Sequence, residues 1–195
     1  MALYNERNNA IINVLRKNKI KSVLDLGCGD GKLLKQLYLN EEFELLGGVD
    51  ISQRRINKLR SYFENNKKVQ LFEQSFFIIN ESYFNYEGFV LSEVIEHLPL
   101  KKTYELIDFI LEYYVPNIII ITTPNRSYNT NYQVLHSGLR HISHIFELSD
   151  NDARTFTEKI SKKHSFYIIT HGYSDPSHAS HMFILKKRSN NNEKS

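Results

Sequence analysis

Four consecutive isoleucines, residues 118–121, sit inside the segment 117–123. Side chains along a strand point alternately to opposite faces, so this segment is apolar on both. It can only be a strand buried on both sides, as in a parallel sheet covered by helices. The rest of the chain alternates to match. Residues 4–17 fit an amphipathic helix, with Ile11, Ile12, Val14 and Leu15 forming its apolar side. Strands are expected at 22–26, 45–49, 69–72, 88–91 and 117–123. Helices are expected at 32–39, 52–65, 103–114 and 149–163, the last opened by Ser149 three residues before Asp152. Two final strands, 166–170 and 182–185, have no helix between them and imply an antiparallel closing pair. The predicted fold is α/β: a doubly wound, mostly parallel sheet with an antiparallel C-terminal strand pair.

With 195 residues, the chain has room for one domain of ordinary size. We expect that domain over 1–187, followed by a flexible polar tail over 188–195. Hydrophobic residues at 41% and charged residues at 24% exclude a disordered or fibrous chain. The longest aliphatic run is far short of a membrane span, and the polar N-terminus lacks the apolar core of a signal peptide. The single cysteine, Cys28, cannot form an internal disulfide. A cytoplasmic location without membrane attachment is therefore expected. A net charge of +3 permits a polyanionic partner without requiring one.

In doubly wound sheets ligands bind beyond the carboxyl ends of the strands. Four constellations fall there. Directly after the first strand comes Asp25-Leu26-Gly27-Cys28-Gly29-Asp30-Gly31. Its glycines let backbone approach a ligand, and Asp25 is placed to accept from a ligand amine. Gly48-Val49-Asp50 ends the second strand about 20 residues later, where an acidic residue suits two ribose hydroxyls. Glu93-Val94-Ile95-Glu96-His97 follows the fourth strand. If a helix begins there, its two carboxylates and imidazole share one face. Two carboxylates so close repel unless a cation or proton lies between them. Two hard oxygens and one nitrogen suit Mg²⁺ or Mn²⁺. The fourth constellation is the segment 124–148, long for a loop in a compact domain. It carries His136, His141 and His144, each a candidate fourth ligand, and spacing does not choose among them.

These motifs together resemble the metal-dependent small-RNA 3′-terminal 2′-O-methyltransferases. VLDLGCGDGKLL and GVDIS match most class I methyltransferases, which share a Rossmann-like sheet and bind S-adenosylmethionine. EVIEHL is narrower. TTPNRSYN, LRHISHIFEL and SDPSHASHMFIL follow in the family's order and spacing, so the resemblance runs from about residue 20 to 187. It implies a donor site at Asp25, Gly27, Gly29, Asp50, Ile51 and Ser75. It implies Glu93, Glu96, His97 and His144 as both the catalytic set and the ligands of Mg²⁺ or Mn²⁺. Ser143, Leu148 and Gln74 stand where the family usually has Asp, Trp and Gly. The implied reaction is methyl transfer to the 2′-hydroxyl at an RNA 3′ end, where only a terminal nucleotide offers both hydroxyls to a cation. A metal-dependent methyltransferase acting on a small catechol- or quinone-type diol is the alternative.

The substrate RNA would be a small silencing RNA or a cleaved tRNA. A kinase–phosphatase of RNA repair, or an Argonaute-type protein in RNA silencing, is the partner the resemblance implies. The domain itself is expected to act as a monomer. To hold RNA, Arg54, Arg55, Lys58 and Arg60 cluster after Asp50, with Lys67 and Lys68 beyond them. Arg126 and Arg140 lie in the long loop among Tyr128, Tyr132 and His136, and cations interleaved with stacking rings suit single-strand ends. Arg54, Arg126 and Arg140 are the RNA-binding candidates.

Overall fold

The computed structural model describes residues 2–64 and 66–188. Five helices and seven strands follow one another as α1 (Ala2–Lys17), β1 (Ser22–Leu26), α2 (Lys32–Tyr38), β2 (Leu45–Asp50), α3 (Gln53–Phe63), β3 (Val69–Glu73), β4 (Gly88–Ser92), α4 (Leu100–Phe109), β5 (Ile118–Pro124), α5 (Asp150–Lys163), β6 (Tyr167–Tyr173) and β7 (Ser180–Lys187). The strands form one sheet in the order β3-β2-β1-β4-β5-β7-β6. Only β7 runs antiparallel to its two neighbours. The class I methyltransferase fold expected from the sequence is therefore present.

β5 shows why the isoleucine run is decisive. Ile119 and Ile121 enter one core with Phe89, Leu106 and Phe156, beneath α4 and α5. Ile118 and Ile120 enter the other with Leu15, Leu34 and Leu59, beneath α1, α2 and α3. All four are at most 1% exposed. Truncating any one to alanine leaves a cavity in a core layer and costs about 2–5 kcal/mol.

Several boundaries differ from the sequence reading. α4 starts at Leu100, directly after Pro99, and a π-helical turn, Ile110–Tyr114, continues from its end. Proline supplies no N–H and its ring fits a helix start, so it sets this boundary. β6 and β7 run longer than expected because they pair with each other from Tyr167 and Lys187 to Tyr173 and His181. Lys186 and Lys187 belong to β7, and Arg188 donates through its N–H and Nε to Phe166 O and Ser165 O. Arg188 is thus tied to the fold rather than part of a free tail; residues 189–195 lie outside the described residues. No helix among the described residues is long and apolar enough to cross a membrane.

The topology fixes where chemistry occurs. From β1 the chain moves outward through β2 to β3, then returns to β4 on the other side of β1. The carboxyl ends of β1, β2, β4 and β5 are adjacent, with Asp25 paired to Gly48 and Val90, and Ser92 to Thr122. Their loops open a crevice at this reversal of strand order.

Candidate functional site

A cavity of about 670 Å³ fills that crevice. It runs from Asp25, Gly27, Gly29 and Asp50 at one end to Glu93, His97 and Ser143 at the other. Its size suits a small-molecule ligand.

The first end is built from the loop after β1. Gly27 and Cys28 donate N–H bonds to Val49 O, folding the loop over the end of β2. Gly29 has φ +55°, and a Cβ there would meet nothing within 4 Å, so its backbone faces open space. The Asp50 carboxylate accepts from Gly29 N at 3.0 Å and Ser52 N at 2.8 Å, with the Arg55 guanidinium at 3.6 Å. Each oxygen retains a lone pair for a ligand hydroxyl. Burial, reinforced by the Asp50 charge, pushes the Asp25 carboxyl up to about 7. Burial likewise pushes the Cys28 thiol up, so it stays protonated. Ile51, 75% exposed, and Ser75 line the same cavity, and Ser75 Oγ accepts from Phe77 N.

The second end departs from the helical turn expected for residues 93–97. Glu93 has φ +58°, the left-handed region that a side chain enters at a cost. A single 3-10 turn, Ile95–His97, follows, and α4 begins only after Pro99. The convergence thus comes from a kinked strand end meeting the long loop. Donor atoms of Glu96, His97 and His144 lie within 4.8 Å of one another. Glu93 stands beside this trio, its Oε2 drawn 3.1 Å from Arg7 Nη1 of α1. Glu96 is fully buried and accepts from Thr123 Oγ1 at 2.9 Å. Burial pushes both carboxyls up, against the pull of Arg7 for Glu93, and with added repulsion from Glu93 for Glu96.

The imidazoles are held alike. His97 Nδ1 lies 3.1 Å from Ser143 O, and His144 Nδ1 lies 2.6 Å from Glu147 Oε1. Burial would raise Glu147, but hydrogen bonds from Asn129, the Arg140 N–H and His144 bring it below the usual carboxylate range. A carbonyl and a carboxylate only accept, so each Nδ1 carries a hydrogen, which leaves Nε2 as the ring nitrogen that can face a cation. His141 bonds Ser143 Oγ instead, and His136 is exposed; neither joins the trio. Because Ser143 reaches His97 through its carbonyl, the contact does not depend on which side chain stands at 143.

These residues fit a divalent cation by a direct observation. Glu93 Oε1 and Glu96 Oε1 are buried without a hydrogen-bond partner. Burying such oxygens unpaired is costly, and a cation beside two imidazole nitrogens relieves that cost.

The proposed RNA-binding arginines divide. Arg54 on α3 and Arg126 at the head of the long loop are exposed. Arg140 faces inward: its Nε donates to Asn129 Oδ1, its Nη1 to Ala179 O at 2.9 Å and its Nη2 to Asn125 O, and Tyr132 stacks over it. Its guanidinium ties the loop to these partners, an internal role that the sequence reading did not anticipate. Lys68 is similarly engaged with Tyr38 O and Asn40 O. Sequence reasoning passed over Arg7 and Glu147. Arg7 offered no local signal, whereas Glu147, three residues after His144, was open to notice.

Comparison with known proteins adds three findings. The family described as Methyltransferase domain matches residues 4–169. The mouse small RNA 2′-O-methyltransferase is 27% identical over 185 residues, covering 89% of this chain and 46% of that protein. The chain thus spans about half the length of the curated relatives it matches. The crystal structure of the methyltransferase domain of bacterial CtHen1 superposes with a TM-score of 0.80 at 27% identity, covering 94% of this chain and 99% of that one.

Proposed function

This chain belongs to the methyltransferase-domain family, and we propose that it transfers a methyl group from S-adenosylmethionine to the 2′-hydroxyl at an RNA 3′ end. The observation that carries this reading is the single cavity joining the glycine loop and Asp50 to Glu93 and His97. A methyl donor at the first end would turn its sulfonium toward Glu93 and His97, which line the second end of the same cavity. The similarity to small RNA 2′-O-methyltransferases supports RNA as the acceptor.

In this reading Asp50 receives the donor's ribose hydroxyls, Ile51 and Ser75 flank its adenine, and Asp25 receives its ammonium. The loop's N–H bonds to Val49 O hold this cradle before the donor arrives. Methyl transfer is one displacement: the oxygen–carbon bond forms as the carbon–sulfur bond breaks, leaving a neutral thioether, and the hydroxyl's proton is released to water. No acid is needed at the leaving group. Glu96, His97 and His144, with Glu93 beside them, would hold Mg²⁺ or Mn²⁺, which supplies charge that stabilises the ionising hydroxyl and orients the terminal diol. Thr123 holds Glu96, Arg7 balances Glu93, and the acceptors on Nδ1 aim both imidazoles. Positioning donor and acceptor in one cavity accounts for much of the acceleration. Arg54 and Arg126 hold the RNA backbone.

Labelled methyl transfer should be measured on intact RNA and on RNA whose terminal diol has been opened by periodate. Transfer to intact RNA alone is expected. Equal transfer to both, or turnover of a catechol with none on RNA, would overturn the proposal.

A further inference from the structure

We infer that Glu147 is a positioning residue for the site: it fixes the hydrogen of His144 on Nδ1 and thereby presents Nε2 to the cation. The inference rests on the cation reading of the cluster. Glu147 is 3% exposed, in the long loop between β5 and α5. A carboxylate buried this deeply is tolerated only where donors surround it. Three donors do. Asn129 Nδ2 lies 2.6 Å from Oε2, and the Arg140 N–H and His144 Nδ1 lie 2.8 and 2.6 Å from Oε1.

Two of these bonds anchor the carboxylate from behind. Asn129 belongs to the turn Arg126–Asn131, and Arg140 bonds Asn129, Asn125 O and Ala179 O. The loop is thereby tied to the end of β5 and to the turn before β7. Only the third bond points toward the cluster, to the imidazole whose donor atom lies with those of Glu96 and His97. A metal-binding imidazole commonly donates its other N–H to such a partner, which fixes the tautomer and raises ligand basicity. The same anchoring explains Arg140, which serves the site from behind rather than touching substrate.

The test uses the metal-free protein labelled with ¹⁵N in its histidines. Two-bond ¹⁵N–¹H spectra report which nitrogen of His144 carries the hydrogen. The wild-type spectrum should show Nδ1–H. Glu147→Ala should lose that fixed form and weaken Mn²⁺ binding about 10- to 100-fold, with donor affinity unchanged. Glu147→Gln keeps the volume and one acceptor oxygen, and should recover part of both. A role confined to tying the loop would leave the tautomer in place and lower Mn²⁺ and donor affinity together. Wild-type protein with the hydrogen on Nε2, or a Glu147→Ala protein that binds Mn²⁺ as tightly as wild type, would overturn the inference. Failure of the wild type to bind Mn²⁺ would instead overturn the cation reading, since the tautomer is read without metal.

Discussion

Three glycines with positive φ separate the cost of backbone strain from the cost of filling the donor site. Gly29, Gly31 and Gly138 have φ of +55°, +70° and +78°. An alanine in this region carries about 1–2 kcal/mol of strain. At Gly138 a Cβ meets nothing within 4 Å, so Gly138→Ala isolates the strain. At Gly31 a Cβ would stand 2.4 Å from Leu59 Cδ2, in the fully buried core beneath α3. Overpacking adds about 1–3 kcal/mol there, so Gly31→Ala should cost about 2–5 kcal/mol in all. At Gly29 a Cβ is also unopposed, but the space it enters is the cavity. Gly29→Ala should match Gly138→Ala in stability, each lowering Tm by about 2–8 °C for a chain of this size. It should differ in binding: calorimetry should show S-adenosylmethionine affinity at least about tenfold weaker, since backbone approach there requires glycine. Gly138→Ala should bind as wild type. A Gly29→Ala protein with wild-type donor affinity would refute the assignment of this loop to the donor.

The remaining predictions concern charge. Asp50→Ala removes a charged acceptor worth about 1.5–3 kcal/mol, so calorimetry should show donor binding about 10- to 100-fold weaker; unchanged affinity refutes the ribose contact. The unfolded chain releases the Asp25 proton near about pH 4 and the folded one at about 7. The folded state therefore binds the extra proton between these values, and the stability of the empty protein, followed by thermal unfolding, should fall as pH rises through that window. Donor affinity should rise over the upper part of the same window as the carboxylate forms; Asp25→Asn should abolish that rise and lessen the stability slope, the remainder belonging to Glu93 and Glu96, whose carboxyls burial also pushes up. His144→Ala should stop methylation without moving donor affinity, while His136→Ala and His141→Ala remain active; EDTA should stop the wild type and Mn²⁺ restore it. Joint Arg54→Glu and Arg126→Glu substitution should raise KM for RNA and flatten its salt dependence by about 0.7 log units per lost phosphate contact, at constant donor affinity.

The isoleucines of β5, the glycine loop and Asp50 were legible because each is a local pattern with one good solution. The α5 capping box was legible for the same reason: Ser149 and Asp152 satisfy each other's backbone N–H. The stretch 93–97 misled because three residues at helical spacing suggest a helix, while the left-handed Glu93 follows β4 and Pro99 starts the helix later. Arg140 misled differently. An arginine in a polar loop reads as a surface cation, and its internal acceptors at Asn125 and Ala179 lie 15 and 39 residues away. Arg7 meets Glu93 across 86 positions, and no periodicity encodes such a contact. Residues that support a site through distant backbone depend on how the chain closes, which single-residue patterns do not report.

The most direct measurement starts from an RNA with a free 3′ end, incubated with labelled S-adenosylmethionine, the protein and Mn²⁺, then digested to nucleosides for mass spectrometry. The label should appear as one 2′-O-methyl group, on the terminal nucleotide only, and not at all when that nucleotide carries a 3′-phosphate. Methyl groups on bases or internal riboses, or equal labelling of the 3′-phosphorylated RNA, would contradict the account.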